Sequence, residues 1–491
     1  MLWTLLFVPF LAGLASIFVG SDLLRRSLLL GSALCHAGIM AASWVVPVPP
    51  IMDGWFALDP LGRLFLSIAS ALFLMASFYA VGYLRSETRR HAGEEDEPQE
   101  SIIPNAPESI FVACLLMFLT TMTVVTASQN FGLIWIAMEG TTLVTAPLIY
   151  FHRNHRSLEA TWKYLLICSV GIAVSLLGNF FLAIAASNSE GVVLPLTRAA
   201  LLAHGPELWP VWLKAAFIFI LVGYGTKMGL APMHTWLPDA HSEAPAVVSA
   251  LLSGALLNCA FVGILRVFEV TSAAGLLAFS QDLLLLFGLV SMLVAAIFII
   301  GQTDYKRMLA YSSVEHMGVL ALGVGLGGAA TFGAMLHAVN HSFTKGALFM
   351  LAGNLLAAYK TKVSSEVRGA VLLLPVSGLL WVAGILAISG FPPFGTFLSE
   401  FTILKASLDQ GRHFVAFAYL ALLALIFIGV SATAFRMAQG RPSIAAPAEP
   451  DRITSFLPPA ILLTLVMALG LYVPAWLGDA LRQVAQLLGG T

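Results

Sequence analysis

The sequence predicts an all-α polytopic membrane protein with about fourteen transmembrane helices. Two observations predict this class. The first is composition: of 491 residues, 59% are hydrophobic and only 10% are charged, whereas an average soluble domain is about 25% charged. The second is the recurrence of apolar segments of roughly the 20 residues that a helix needs to cross a bilayer. The near-balance of 25 basic and 26 acidic residues gives no electrostatic footprint for nucleic acid.

Fourteen apolar segments are separated by polar residues or by proline and glycine. They lie at about 2–20, 25–46, 61–84, 109–127, 130–151, 159–186, 211–231, 245–270, 276–300, 306–327, 330–358, 369–408, 412–437 and 453–478. The first segment lacks the basic start of a signal peptide, so we expect it to be retained as a helix. The four cysteines lie in apolar segments at unrelated spacings and predict neither a disulfide framework nor a metal site.

The basic residues predict the orientation of these helices. Fifteen Lys and Arg residues fall in the loops of one side and five fall on the other. Because loops rich in Lys and Arg remain in the cytoplasm, we expect both termini to face outward from the cell inner membrane. The other five basic residues lie within predicted spans, and they are Lys163, Lys214, Lys227, Lys345 and Lys405. Lys214 is close to a helix start, from which its side chain can extend to the interface.

Two of the predicted spans, the seventh and the twelfth, are interrupted by glycine and proline. Residues 229–239 (GLAPMHTWLPD) and 390–400 (GFPPFGTFLSE) share Gly, Pro, Thr and Leu at equivalent positions. Equivalent breaks five spans apart predict two inverted repeats of five helices each, as in many transporters. The predicted organisation is N-terminal helices 1–3 with a cytoplasmic loop (1–108), a first repeat (109–270), a second repeat (271–437) and a C-terminal helix (438–491).

Glu139 and Lys227 are ionisable residues at membrane depth. Glu139 lies about ten residues into its predicted helix, which places it near the bilayer midplane. Lys227 directly precedes the break that begins at Gly229, so we expect its ammonium at a half-helix C-terminus, where the helix dipole favours a cation. A charge at this depth costs several kcal/mol unless it is paired or hydrated. Both residues therefore predict a functional site, and a Lys227 side chain that extends to the interface is the alternative.

His337, His341 and Lys345 lie four residues apart in HAVNHSFTK, which puts them on one face of a helix. A neutral imidazole accepts a proton at one nitrogen and donates one at the other, so this row predicts a proton relay. A structural polar network and a metal-ligand pair are the alternatives. No carboxylate or thiol on the same helix completes a metal site.

Glu400 and Lys405 follow the second break, in SGFPPFGTFLSEFTILKA. Glu400 lies roughly two turns into the second half-helix and is predicted to continue the relay. Lys405 is assigned to the relay as well, and a side chain that extends to the interface from the helix end is the alternative.

Lys163 lies near the start of the sixth predicted span, where it is expected to neutralise Glu139 or to tune its pKa. Other polar residues near the first break and in the tenth span predict proton access from the basic side, with ordinary loop polarity as the alternative. These residues are His234, Asp239, His241 and His316.

The segments around these residues resemble a known family. They are PMHTWLPDAHSEAP, AYSSVEHMG, HSFTKGALF and GTFLSEFTILKA, and the resemblance covers roughly 105–440. They are similar to the antiporter-like membrane subunits of respiratory complex I, of Mrp-type sodium/proton antiporters and of membrane-bound hydrogenases. TWLPDAHSEAP together with LLSGALLNC most resembles component F of hydrogenase-4 and formate hydrogenlyase-like complexes.

The resemblance implies a proton-translocating subunit. In such subunits a glutamate and a lysine form a pair, a histidine and lysine series continues the path, and a residue of the broken twelfth span leads outside. The matching residues are Glu139, Lys227, His337, His341, Lys345 and Glu400. The position that links the halves in the family carries a titratable residue, but here it holds Asn258. Water bound by Asn258, or a route through His316, is then expected to join the halves.

The expected function is vectorial proton transfer without bond-making chemistry in this chain. The sequence has no cysteine cluster, Rossmann glycine motif or haem motif, so no cofactor is expected in it. The expected partners are other membrane subunits of a complex I-like or hydrogenase complex, a soluble redox arm on the cytoplasmic side, and membrane lipid. The chain would then be a subunit of an oxidoreductase complex that carries its redox centres elsewhere.

Two other functions fit the same residues. One is a sodium/proton antiporter module of an Mrp-type complex. The other is a non-conducting membrane scaffold for a soluble enzyme, which Asn258 favours because the titratable link is missing. The acidic segment 94–100 (EEDEPQE) is predicted to be a solvated loop or a docking contact on the cytoplasmic side.

Overall fold

The computed structural model describes residues 1–93, 105–187, 194–445 and 450–489, and these residues form helices and connecting loops with no β-strand. The helices are α1 (Leu2–Phe18), α2 (Asp22–Ala42), α3 (Pro60–Gly93), α4 (Glu108–Ala127), α5 (Phe131–Ile149), α6 (His155–Ala185), α7 (Arg198–Ala203), α8 (Pro210–Met228), α9 (Trp236–Glu243), α10 (Ala246–Ala273), α11 (Leu277–Ile299), α12 (Tyr305–Leu326), α13 (Ala329–Tyr359), α14 (Ala370–Leu373), α15 (Pro375–Ile388), α16 (Gly395–Asp409), α17 (His413–Ala438), α18 (Ile453–Leu471) and α19 (Ala475–Leu487). The all-α prediction is confirmed. The acidic segment 94–100 lies outside the described residues.

Short polar side chains begin the helices that carry the first predicted site. Asn130 Oδ1 accepts hydrogen bonds from the backbone N–H groups of Gly132 and Leu133 at the start of α5. Asn154 and Ser157 form a reciprocal capping box at the start of α6. These bonds satisfy backbone donors that have no partner within the helix.

The first predicted break is present between α8 and α9. α8 ends at Met228, one residue after Lys227, and α9 begins at Trp236. Gly229 caps α8 with φ of +83°, in the left-handed region that glycine adopts without a steric penalty. A Cβ atom at Gly229 would also lie 2.5 Å from Leu237 Cδ1. The end of α8 beside Lys227 therefore depends on glycine.

The second break lies between α15, which ends at Ile388, and α16, which begins at Gly395. Gly390 has φ of +65°. A Cβ atom there would lie 3.0 Å from Glu400 Cδ and closer still to Oε2. The Glu400 carboxylate thus packs directly against the backbone of the break.

Ten helices of the described residues are long and apolar enough to cross a membrane. The chain is therefore a polytopic membrane protein. α10, α12 and α13 form its interior, because other helices cover nearly all of their side chains. Polar residues on these three helices are consequently enclosed by protein, as ionisable groups at membrane depth require.

α6 and α8 approach each other closely through glycine. A Cβ atom at Gly171 of α6 would lie 2.7 Å from Thr226 Cβ of α8, and one at Gly223 would lie 2.5 Å from the Gly171 carbonyl oxygen. Small residues let membrane helices pack at short distance. This contact brings Tyr164 of α6 next to Lys227 of α8.

The C-terminal region differs from the predicted span at 453–478. α18 ends at Leu471, and a separate helix, α19, begins at Ala475. α19 buries one apolar face against the protein, while Asp479 and Arg482 pair on its exposed side. The apolar residues of α19 follow closely on those of α18, so hydropathy alone merged them into one predicted span. Their spacing is that of an amphipathic surface helix.

Arg266, near the end of the eighth predicted span, is fully buried within α10. Its guanidinium donates two hydrogen bonds of 2.6 Å to the two carboxylate oxygens of Asp59, the residue before α3. One turn later on α10, Glu269 is also buried and pairs with Arg198. This charged network fastens the N-terminal helices to α10.

The Arg266→Met variant is expected to lose about 3–5 kcal/mol of stability, because it leaves the Asp59 carboxylate buried without its partner. Combining it with Asp59→Asn, which removes that charge, is expected to restore some of the loss. Unfolding of the purified membrane protein, followed by circular dichroism, measures both. Arg482→Met breaks an exposed pair and serves as the control, with an expected change below about 1 kcal/mol. A double variant less stable than Arg266→Met alone would contradict this account.

Candidate functional site

Lys227 is fully buried at the C-terminal end of α8. Its Nζ donates hydrogen bonds of 2.7 Å to Thr142 Oγ1 of α5 and to the Tyr164 hydroxyl of α6, and it lies 4.7 Å from the centre of the Tyr164 ring. It makes no ion pair with any described residue. The ammonium is therefore held by hydroxyl oxygens, an aromatic ring and a helix C-terminus instead of a carboxylate.

The hydrogen bonds beyond Tyr164 run in one direction. Thr145 Oγ1 donates its hydrogen to the carbonyl of Thr141 at 2.7 Å. The Tyr164 hydroxyl lies 2.6 Å from Thr145 Oγ1, so it must be the donor in that contact and the acceptor from Lys227. Lys227, Tyr164 and Thr145 thus form a polarised chain that ends on a backbone carbonyl.

Glu139 lies on α5 one turn before Thr142 but does not form the direct pair with Lys227 that the resemblance implied. Its Oε1 accepts a hydrogen bond of 2.8 Å from Ser169 of α6. Its Oε2 is buried with no hydrogen-bond partner among the described residues. The expected contact is absent because hydroxyl groups receive the hydrogen bonds of the ammonium. One carboxylate oxygen of Glu139 remains able to accept a proton.

Lys163, which was expected to act on Glu139, pairs with other carboxylates. Its side chain is 45% exposed near the start of α6, and Nζ forms ion pairs of 2.7 Å with Glu159 and 2.9 Å with Asp239. Asp239 also pairs with Arg307 at 2.6 Å. These charges join α6, α9 and α12 at the surface, away from the buried lysine.

A second cluster lies where α12, α13 and α16 meet. His316 Nδ1 lies 2.9 Å from His337 Nε2, and His337 Nδ1 lies 2.9 Å from Ser399 Oγ. Ser399 donates its hydroxyl hydrogen to the carbonyl of Thr396 at 2.8 Å, so it accepts from His337 Nδ1–H. In a neutral imidazole the other nitrogen is the acceptor, and His337 Nε2 therefore accepts from His316 Nδ1–H.

The second chain is polarised like the first. In both, a titratable group donates to a second side chain, which donates to a hydroxyl, which donates to a backbone carbonyl. At the start of the second chain, His316 Nε2 is buried and has no hydrogen-bond partner in the described portion of the protein. That nitrogen is the position at which this chain can take up a proton.

His341 and Lys345 extend the second cluster along α13. The His341 ring centre lies 5.2 Å from that of His316, and neither of its nitrogens has a hydrogen-bond partner among the described residues. Lys345 Nζ donates to the carbonyl of Leu309 in α12 at 2.7 Å. Like Lys227, it is fully buried and makes no ion pair within the described ranges. The row of residues predicted on one helical face therefore lies in the protein interior, next to His316.

Glu400 joins this cluster, whereas Lys405 does not. Glu400 is buried, and its Oε1 has no hydrogen-bond partner among the described residues. One oxygen of Glu400 and one nitrogen each of His316 and His337 lie within 4.8 Å of one another. Lys405 is on the exposed side of α16 and pairs with Asp409 one turn later at 2.5 Å. The structure thus separates Lys405 from the buried polar residues.

Asn258 lies on α10, which packs between α8 and α13. Its Nδ2 donates hydrogen bonds to Ser342 Oγ of α13 at 2.7 Å and to the carbonyl of Gly254 at 3.0 Å. Oδ1 is buried with no protein partner in the described residues. Ser342 directly follows His341, so the amide reaches the helix of the second cluster without itself being titratable.

A cavity of about 320 Å³ lies beside the end of α9, and Ser242, Glu243, Lys306 and Lys362 are among its lining residues. Lys306, the first residue of the tenth predicted span, is buried at the start of α12, where it donates to the carbonyls of Ser242 and Ala244. Lys362 pairs with Glu243 at 2.7 Å. The lining of the cavity therefore includes side chains of both charge signs.

His241 lies between this cavity and the second cluster. It precedes Ser242, and its buried ring stacks on Phe349 of α13 with ring centres 4.8 Å apart. Phe349 follows Lys345 by one helical turn. His234 lies within the first break, with its ring centre 6.1 Å from that of Tyr311. Of these two predicted access residues, His241 is the one that precedes a cavity-lining residue, Ser242, and packs against the helix that carries Lys345.

Several participants were not predicted from the sequence, namely Thr142, Tyr164, Ser399 and Glu315. Glu315 is buried on α12, accepts a hydrogen bond from Ser312 at 3.3 Å, and has an oxygen 3.9 Å from His316 Nε2. A carboxylate beside a histidine within an apolar helix was a usable signal. The hydroxyl residues gave none, because such residues are common in membrane helices and only the fold determines which of them face a lysine or an imidazole.

Comparison with known proteins agrees with these features. The chain matches the family model "NADH:quinone oxidoreductase/Mrp antiporter, TM" over residues 128–426. It is 38% identical over 358 residues to a hydrogenase-4 component F homolog of Methylacidiphilum infernorum, a match that covers 72% of this chain and 74% of that protein.

Two solved structures share the fold. One is the membrane-bound sulfane sulfur reductase, an archaeal respiratory membrane complex, with a TM-score of 0.85 and 18% identity. The other is the Mrp complex from Dietzia sp. DQ12-45-1b, with a TM-score of 0.83 and 19% identity. Each match covers 99% of this chain and 97% of the matched chain. The family match spans more than half of the sequence and includes both polar clusters. As its motifs predicted, the chain is an antiporter-like membrane subunit and belongs to the NADH:quinone oxidoreductase/Mrp antiporter transmembrane family.

Proposed function

We propose that this chain translocates protons as one subunit of a membrane-bound redox complex of the hydrogenase-4 or complex I type. It would have fourteen transmembrane helices in the inner membrane, with both termini outside. The two inverted repeats would occupy 109–270 and 271–437, between an N-terminal region (1–108) and a C-terminal region (438–491). Glycines with positive φ at equivalent positions of the two breaks, Gly229 and Gly390, support the repeat.

The observation that carries the proposal is a pair of buried lysines that have no carboxylate partner among the residues the structure describes. Lys227 and Lys345 are each fully enclosed and are held by neutral oxygens. An ion pair would fix a lysine in its charged form, whereas an ammonium bound to hydroxyl or carbonyl groups can lose its proton without leaving a bare carboxylate behind. Placing such a group at membrane depth is unfavourable by several kcal/mol and marks a functional position.

Protons would enter from the basic, cytoplasmic side through the cavity beside α9. The polar lining near Ser242 and Glu243 supports this route, and His241 offers ring nitrogens between the cavity and Lys345. From Lys345 the proton would pass to His316 Nε2, then along the polarised chain to His337. Glu400, next to the second break, would release it to the outside.

The residues around Lys227, which are Glu139, Thr142 and Tyr164, would control this transfer through their charge. Lys227 holds its proton when Glu139 is ionised and releases it when the carboxylate is neutralised, since an opposite charge nearby favours the ammonium. Asn258 is bonded to Ser342 beside His341 and would hold water between the halves, because its free Oδ1 is an acceptor.

The energy would come from a redox partner. Moving one charge against 100 mV requires about 2.3 kcal/mol, so another subunit must bias the state of Lys227. The similarity to a hydrogenase-4 component F homolog supports a soluble redox arm on the cytoplasmic side, along with further membrane subunits and lipid around the apolar faces. We place no redox centre in this chain.

A sodium/proton antiporter module is the second candidate, because this chain also shares its fold with a chain of an Mrp complex. The chemistry of the second cluster favours protons over sodium: hard cations prefer oxygen ligands, whereas this cluster is rich in imidazole and amine nitrogens. Proton uptake by reconstituted vesicles is therefore expected to be unchanged when sodium is replaced by potassium. Uptake that requires sodium would favour the antiporter module.

Lys227→Ala is expected to lower redox-driven proton uptake by reconstituted vesicles at least about tenfold, because its loss removes a positioned acid–base group. Lys214→Ala is the matched control: Lys214 is an exposed lysine on the same helix, α8, and its replacement should leave uptake unchanged. Complex assembly is checked by gel filtration. Normal coupled uptake in Lys227→Ala would overturn the proposal and favour the scaffold.

Tyr164→Phe tests the polarised chain itself. The variant keeps the ring beneath the ammonium but removes the hydroxyl that accepts from Lys227 and donates to Thr145. A hydrogen bond to a charged group contributes about 1.5–3 kcal/mol, so uptake is expected to fall roughly tenfold or more. Tyr472→Phe changes an exposed tyrosine and is the control. Equal rates in both variants would exclude Tyr164 from the path.

A further inference from the structure

Three potential metal ligands converge from three helices. One nitrogen each of His316 on α12 and His337 on α13, and one carboxylate oxygen of Glu400 on α16, all lie within 4.8 Å of one another. All three side chains are buried. The sequence argued against a metal because α13 carries no carboxylate beside its histidines. The fold supplies the carboxylate from another helix.

The hydrogen bonds around the cluster orient one lone pair that a metal needs. Ser399 fixes the proton of His337 on Nδ1, so the Nε2 lone pair points at His316. Metal-binding histidines are commonly oriented in this way, by a bond from the other ring nitrogen to a neighbouring oxygen. Glu400 Oε1 has no hydrogen-bond partner among the described residues and can serve as a ligand.

The donor set selects the class of ion. Two imidazoles and one carboxylate are typical ligands of zinc and related transition metals, whereas calcium and magnesium take oxygen ligands. Bonds of about 2.0–2.2 Å place tetrahedral zinc ligands roughly 3.4 Å apart. The two histidine nitrogens, at 2.9 Å, are already close to that separation. To bind one ion, the two rings must give up their mutual hydrogen bond and move slightly apart, and the Glu400 oxygen must approach them from within 4.8 Å.

We propose that His316, His337 and Glu400 form a binding site for a divalent transition-metal ion, with Zn²⁺ as the best match. The ion takes the place of the proton between the two imidazoles, and that proton moves from Nδ1 to the unpartnered Nε2 of His316, so both rings stay neutral. Binding itself does not depend on the proposed function. The expected consequence, that bound zinc blocks proton transfer from His316 through His337 to Ser399, does rest on the proposed function.

The test uses the purified membrane complex titrated with zinc chloride, with bound metal counted by mass spectrometry after gel filtration. The wild type is expected to hold one more zinc ion per complex than His337→Gln or Glu400→Gln. His204→Gln, which removes an exposed surface histidine paired with Glu207, should retain that ion. Equal zinc content in the wild type and in both site variants would overturn the proposal.

X-ray absorption of the zinc-loaded wild type provides a readout that needs no variant. The expected spectrum for the added ion has two imidazole nitrogens and a carboxylate oxygen at about 2.0–2.2 Å. A shell of oxygen ligands alone would contradict the site even if the variants failed to assemble. A complex that binds zinc here but keeps normal coupled uptake in Lys227→Ala would refute the proposed function and leave the metal site standing.

Discussion

The polar interior of this protein depends on one constraint, which is that an ammonium group buried among membrane helices must be satisfied by the protein itself. Within the described part of the chain, Lys227 and Lys345 meet it without carboxylates, through Thr142, Tyr164 and the carbonyl of Leu309. That solution requires three other helices to bring oxygen atoms to fixed places. The enclosure of α10, α12 and α13 follows from the same requirement, since a lysine that faced lipid would lack these partners.

The two helix breaks expose backbone groups to ionisable side chains, which continuous helices do not. Ending α8 at Met228 leaves backbone carbonyls beside Lys227, and their dipoles favour a positive charge there. Ending α15 at Ile388 opens the space in which the Glu400 carboxylate lies against Gly390. Each break thus places an ionisable group against exposed backbone. The need for glycine at both points explains why the two interruptions could be found in the sequence.

The helices and the helical faces could be predicted because hydropathy and spacing are local properties. His337, His341 and Lys345 share a buried face of α13, as their spacing requires. Contact partners could not be predicted, because they depend on how helices rotate and pack. Lys163 forms an ion pair with Asp239 instead of Glu139, and Arg266 forms a buried ion pair with Asp59. A basic residue near a helix end gives the same sequence signal whether it reaches water or a buried carboxylate.

The two clusters are more similar in the direction of their hydrogen bonds than in their sequences. In each chain the last hydroxyl, Thr145 or Ser399, donates to a backbone carbonyl and therefore accepts from the titratable side. A proton added at the start of such a row of hydrogen bonds moves along it only if each donor passes its own proton to the next group. The last hydroxyl is bonded to a carbonyl of its own helix, so whether that bond can break determines whether the transfer occurs. Proton transfer and zinc binding would both use the lone pair of His337 Nε2. Ser399, which is neither acid nor base, determines that this lone pair is available at all.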